Sequence, residues 1–377
     1  MRASPLAGQE AADGPREDRG WNSPAVLELV ERAAAKRLQP VEDSVLPHYT
    51  ARADGYVYFY VDRGDGSELI PLRVDQVSLD LYWKAPDQAR QVVRAQRLEK
   101  LMPIKDFRYY LDRLTVIQNG FGDEIRVGEG RDVRGVPHPI SRAGPALYDY
   151  RITDSLTLIL PGDPDPIRVY EVAVRPRDPR AARFIGAVYV DRGSAAIVRM
   201  DFTFTPSSYV DRRNERVRVR LEHALWERKV WLPYRQEVEV RRQIPELDLG
   251  LASVIRGQLR VGEYDFDTPP PEALFRGPPV MFARDRFQDT TRFRGGLYDG
   301  MAEQGLALPG AGAPTLEELE AEVRRLVRDQ ALSGLPPVRP YVPGVSSILR
   351  ANRAEGLYAG AGLSAALGGF TRAEAWG

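Results

Sequence analysis

The chain has 377 residues, enough for one large domain or two of ordinary size. Its 53 basic and 53 acidic side chains cancel. That removes the positive surplus on which phosphate binding rests, so no nucleic acid is expected as a partner. The absence of cysteine excludes disulfides, thiolate chemistry and cysteine-based zinc sites.

Residues 1–22 are charged, rich in small residues and aperiodic, the composition of a disordered segment. Met1 to Gly8 has the small residues of a signal-peptide tail but not the apolar stretch that precedes one, so a periplasmic precursor would extend further upstream. Ser23 and Pro24 then open a helix over 23–39, with Val26, Leu27, Val30 and Ala34 on its apolar face and Pro40 as its stop.

From residue 40 to 268 the dominant signal is alternation with a period of two, which reads as antiparallel strands. A Tyr-rich strand spans 49–61, Asp62 to Gly66 turns, and 69–83 returns. The Arg63-Gly64-Asp65 triplet in that turn is read as turn geometry rather than an adhesion motif. Residues 86–100 are polar and rich in Gln and Arg, a loop or exposed helix. Phe107, Tyr110, Leu111 and Leu114 have the spacing of a second covering helix. Two short strands around Asn119-Gly120 are expected over 115–127, and a loop over 128–145. Tyr148 to Leu160 and Ile167 to Val174 make a hairpin. In its connection, Asp163 and Asp165 lack the glycine and distal Glu of a calcium loop, so no metal is expected there.

Four strands in a row follow from Phe184 to Val240. Asp191 to Ser194 is a turn in which Gly193 supplies a positive φ. Val198, Met200, Phe202 and Phe204 then fall on one face. Val217, Val219 and Leu221 do so on the next strand, and Tyr234, Val238 and Val240 on the last. Arg216, Arg218 and Arg220 take the opposite face, as a solvated surface or, less simply, a stripe for anionic lipid or a partner. One more strand runs from Leu249 to Val261. About ten strands with two or three helices is an α+β layer, an antiparallel sheet curled around helices.

Composition shifts at 269, so 269–344 is read as a linker. Its helix over 315–333 starts at the capping box Thr315 to Glu318 and ends at Gly334. Residues 345–377 are poor in charge and rich in small residues, with Leu357, Ala359, Ala361 and Leu363 alternating against Tyr358, Gly360 and Gly362.

Gly186 to Asp191, Ile197 to Met200 and Val230-Trp-Leu-Pro-Tyr-Arg235 together resemble the strand pattern of periplasmic lipoprotein-localisation-factor (Lol)-like domains. The run from Pro139 to Ile152, with its Ala-Leu-Tyr-Asp-Tyr, is similar to one found in large outer-membrane proteins where such a domain precedes a β-barrel. The resemblance implies a strongly curved half-barrel under short helices over 40–268. It also implies that 345–377 is the start of a barrel whose remainder lies beyond this chain, since a barrel needs about 8 strands or more. The implied setting is the periplasmic face of the outer membrane. The implied partners are a lipid or lipoprotein acyl ligand, the outer membrane and the chain's own barrel.

No catalytic motif or cofactor fingerprint is present, so no cofactor and no enzyme activity are expected. His48, His138 and His223 lie in separate segments, and His223 follows the parity of Leu221 as a core histidine. The expected ligand-binding residues are the concave-face set Val198, Met200, Phe202, Phe204, Val217, Val219, Leu221, Tyr234, Val238 and Val240. The alternatives are a structural module whose core is filled and, from another class, an envelope hydrolase with a carboxylate pair assembled from distant strands.

Overall fold

The computed structural model describes residues 20–62, 69–101, 121–158, 166–227, 230–243, 252–293 and 295–303, and the backbone of five short strands between 338 and 376. The expected helices over 104–114 and 315–333 and the Asp163–Asp165 connection lie outside the described residues.

Eleven strands form one sheet. In chain order its first members are β1 (His48–Asp62), β2 (Ile70–Lys84) and β3 (Gln88–Lys100). A separate pair follows, β4 (Glu124–Val127) and β5 (Val133–Pro137). The sheet resumes with β6 (Tyr148–Leu158), β7 (Ile167–Pro176), β8 (Phe184–Asp191) and β9 (Ile197–Phe204). It is completed by β10 (Asn214–Trp226), β11 (Val230–Gln243), β12 (Ala252–Asp265) and β13 (Val280–Phe282). The spatial order is β13-β3-β2-β1-β12-β11-β10-β9-β8-β7-β6, antiparallel except where β13 runs parallel to β3. The four strands expected between 184 and 240 are thus successive neighbours. Further on, β14 (Val338–Tyr341), β17 (Gly362–Ala366) and β18 (Arg372–Trp376) make a small sheet, and β15 (Leu349–Asn352) pairs with β16 (Gly356–Ala359).

Three expectations fail, two of them for identifiable reasons. Residues 88–100 are a strand, because β3 meets backbone demand from both sides. It pairs with β2 along its length, while the Gln91 and Gln96 N–H groups donate to the carbonyls of Pro279 and Arg286 at 2.9 and 2.7 Å. Backbone pairing overrides a side-chain pattern that reads as polar. The first helix, α1 (Pro24–Glu42), does not stop before Pro40. The Pro40 carbonyl instead accepts from the N–H groups of Val45 and Leu46 at 2.9 Å each, which satisfies the helix end. Residues 128–145, expected as loop, carry β5 and a short helix, α2 (Gly144–Leu147).

The concave face holds two apolar clusters rather than one. The larger lies under α1 and the β4–β5 pair. It joins Val26, Leu29, Val30 and Ala33 of the helix to Val57, Val172, Phe184, Phe202 and Val240 of the sheet. The second gathers Tyr49, Ala53, Leu79, Trp83, Phe121, Leu232 and Leu259. Along β1 the division falls at Gly55, between Ala53 and Val57; along β12 it falls at Gly257, between Ile255 and Leu259. A Cβ on Gly55 would stand 1.9 Å from the Gln258 carbonyl oxygen, so the strands cross too closely there for any side chain. Gly257 is the reverse: a Cβ would meet nothing within 4 Å. The convex face is covered over its tyrosine ladder. Leu297 and Met301 of α3 (Leu297–Glu303) pack on Tyr56, Tyr58 and Tyr60.

Gly55→Ala is expected to cost about 1–3 kcal/mol through forced strand separation, whereas Gly257→Ala leaves stability unchanged or slightly raised. Thermal unfolding of the two variants checks this. Equal melting temperatures would contradict the bend assigned to Gly55.

Candidate ligand cleft

α1 is set by its first turn. The Ser23 hydroxyl accepts from the Val26 N–H at 3.4 Å, and Pro24 occupies the first helical position. Its buried stripe is Val26, Leu29, Val30, Ala33, Ala34 and Arg37, so the apolar series ends in a cation. Arg37 follows the i, i+3, i+4 spacing as faithfully as the others. That spacing is the signal in the sequence that could have found it.

The Arg37 guanidinium donates to the Gly122 carbonyl at 2.7 Å and to Asp123 Oδ1 at 3.1 Å, and its Nε has no partner among the described residues. Burial lowers its pKa against the opposing pull of Asp123. Asp123 is itself 78% exposed and helps hold the next group, since its carbonyl accepts from the His138 N–H at 2.8 Å.

His138 lies in the loop after β5, and the tyrosines of the Ala-Leu-Tyr-Asp-Tyr run clamp that loop. The Tyr148 hydroxyl donates to the Pro137 carbonyl at 2.6 Å and the Tyr150 hydroxyl to the Pro139 carbonyl at 2.7 Å. Burial pushes Tyr148 up to about 12, so it stays a donor. Gly144 completes the clamp, because a Cβ there would lie 2.1 Å from the Pro139 oxygen. The motif that suggested the family is therefore a structural lock around a histidine. His138 Nδ1 accepts from the Ile140 N–H at 3.0 Å, which leaves the proton on Nε2, a buried donor without a partner among the described residues. Burial lowers its pKa well below the ordinary value, helped by the charges of Arg37 and His223.

His223, on β10, is buried as its parity implied, but it is not a satisfied core residue. Its Nδ1 has no partner among the described residues, and burial lowers its pKa to about 4. The β10–β11 register breaks beside it, Glu222 facing Arg235 and His223 facing Pro233, so Tyr234 is the extra residue of a bulge.

Arg37 and His223 line a cleft of about 290 Å³. Lys36, Gln39, Pro40 and Val45 form its helix side; Ala196 and Ile197, at the start of β9, and Val230 and Trp231, on β11, form the sheet side. Phe121 closes one end. The cleft lies where the two clusters meet, with Ile197 in one and Phe121 and Val230 in the other.

The expected lining residues sit elsewhere. Met200, Phe202, Phe204, Val217, Val219, Leu221, Val238 and Val240 are packed in the larger cluster. Val198 is buried outside both clusters, and the bulge leaves Tyr234 half-buried. None of the ten touches the cleft. The arginine stripe is neutralised by carboxylates across the strands. Arg220 and Arg218 bond to Asp201 at 2.9 and 3.3 Å, and Arg216 to Glu239 at 3.4 Å. Burial would raise the Asp201 carboxyl, but the hydrogen bonds and charges of Arg220 and Arg218 outweigh it and hold it below its usual range. The Asp191–Ser194 turn also differs from expectation. The positive φ belongs to Ala195 (59°), and Asp191 Oδ2 accepts from the Ser194 N–H at 2.7 Å.

No protein-family model matches the chain, and neither does any curated protein. Among solved structures it is similar to a DUF1329 family protein from Desulfovibrio piger, at 12% identity over 66% of this chain and 96% of that one, with a TM-score of 0.28. It is similar to a LolA superfamily protein from Nitrosomonas europaea, at 12% identity over 66% and 96%, with a TM-score of 0.22. A third is a putative outer membrane lipoprotein-sorting protein domain from Vibrio parahaemolyticus, at 13% identity over 66% and 95%, with a TM-score of 0.30.

The buried histidines make stability depend on acid. An unfolded chain protonates His223 near 6.5 and the folded one only near 4, so stability is full above that window and falls as pH drops through it. His223→Phe is expected to flatten the profile of unfolding free energy over this range. Parallel profiles for variant and parent would contradict the assignment.

Proposed function

We propose that this chain is a non-enzymatic periplasmic domain that binds a lipid, or the acyl chains of a lipoprotein, in the cleft beneath the C-terminal half of α1. One observation carries the reading: among the described residues the long curved sheet is only partly covered, and the junction opens as a cleft walled by Val45, Phe121, Ile197 and Val230. Apolar walls with a few converging polar groups are the usual make-up of a small-molecule site, and about 300 Å³ is its usual lower size. The free space at Gly257, on the same concave face, adds to this. The strand pattern resembling Lol-like domains supports the same class of ligand. It also supports a place at the periplasmic face of the outer membrane, with the alternating run around Leu357 to Leu363 as barrel strand.

A specific observation favours a second reading. Eight expected lining residues are packed into the larger cluster, as they would be in an assembly module that holds no ligand.

Denaturing extraction of protein purified from a bacterial envelope, followed by lipid mass spectrometry, separates the two. The ligand reading expects a stoichiometric acyl lipid. It further expects Val230→Trp, which fills the cleft, to weaken uptake of a fluorescent fatty-acid probe at least tenfold. Leu221→Ala in the core is expected to cost about 2–5 kcal/mol of stability without changing uptake. Neither lipid nor uptake in the parent protein would leave the assembly module.

A further inference from the structure

Three buried nitrogens from three distant segments have no partner among the described residues: Arg37 Nε and His223 Nδ1, whose side chains line the cleft, and His138 Nε2, on which both of those residues act electrostatically. Their side chains are more than nine-tenths buried, the residues being 8%, 1% and 7% exposed. A buried donor left unmade costs about 1–3 kcal/mol, and proteins seldom keep several together unless something supplies the acceptor. Three features define that acceptor. Arg37 is permanently charged and can only donate. His138 Nε2 is a donor because Nδ1 already accepts from Ile140. No carboxylate is among the described residues lining the cleft, and the rim adds a further cation in Lys36. The one acid bonded to Arg37, Asp123, faces solvent.

We propose that this cationic end receives an ionised acyl carboxylate, so that the ligand is a long-chain carboxylate with its chain along the apolar walls and its oxygens on Arg37 and His223, turned toward the neighbouring His138. This rests on the cleft reading given above and names the ligand's head group. Arg37 supplies charge, His138 a fixed N–H, and His223 a ring whose Nδ1 donates once the neutral tautomer places its proton there. An alkyl chain ending in a hydroxyl or a methyl ester would fill the same walls but offer no charge to Arg37.

Calorimetry of the delipidated full chain with dodecanoate, methyl dodecanoate and dodecanol tests this. The proposal expects dodecanoate to bind at least tenfold more tightly than either neutral analogue, as a hydrogen bond to an ionised group implies. Arg37→Gln should bring the carboxylate-to-alcohol affinity ratio close to one, Arg37→Lys should restore part of it, and His223→Phe should lower the ratio several-fold without abolishing it. Because Arg37 also ties down Gly122 and Asp123, His223→Phe keeps the test valid if Arg37→Gln unfolds. Arg32→Gln, on the exposed side of α1, should leave the ratio unchanged. Equal affinity for the three ligands would overturn the head-group site and leave the apolar cleft standing. An ester bound as tightly as the carboxylate would also overturn it. Failure of all three to bind would remove the cleft reading itself.

Discussion

A long curved sheet has more apolar concave surface than one helix can cover, and the rest of the molecule follows from that mismatch. Strands of 15 residues such as β1 and β2 extend about 50 Å at ~3.3 Å per residue, whereas a helix is about 10–12 Å across with its side chains. α1 seals one end of the concave face with a stripe of Val, Leu and Ala. Beyond Ala34 the stripe continues as Arg37, and the seal becomes polar. The sheet divides at the same level, where Gly55 and Gly257 interrupt the inward rows of β1 and β12.

Charge is treated differently on the two faces. Outside, arginines and carboxylates alternate across β9, β10, β11 and β12, so Asp201 and Glu239 each meet two arginines. Such exposed pairs contribute little individually, and here they leave the convex surface without a net basic stripe. Inside, Arg37, His138 and His223 converge, and among the described residues Asp123 is the carboxylate bonded to Arg37, at the solvent edge. Burial then holds the imidazoles neutral, and unmade hydrogen bonds remain where the cover is thinnest. A polar set of this kind weakens the fold unless it is occupied.

Much of the sheet was legible because parity is a strong signal. The inward rows of β9 and β10, Met200 to Phe204 and Val217 to Leu221, are buried as alternation requires. Three things were not legible. β3 hides behind Gln and Arg because its pairing is set by backbone contacts with residues 279–286 rather than by an apolar face. Tyr234 has inward parity, but a one-residue bulge displaces it, and bulges depend on the partner strand. The histidines look separate in the sequence because 84 residues lie between His138 and His223. Only the fold brings the β5–α2 loop to β10, and only the stripe on α1 announced Arg37. Alternation alone does not separate a ligand wall from a buried row, since a lined cavity and a packed core have the same parity.

The most direct test of this account is where a bound chain lies. Methyl NMR of the protein with a spin-labelled long-chain fatty acid would report that position. The account predicts that the methyls of Ile197, Val45 and Val230 broaden while those of Val219 and Val240 do not. Broadening centred on Val219 and Val240 with Ile197 and Val230 unaffected would contradict it, and so would broadening confined to Val254 and Leu297 on the convex face.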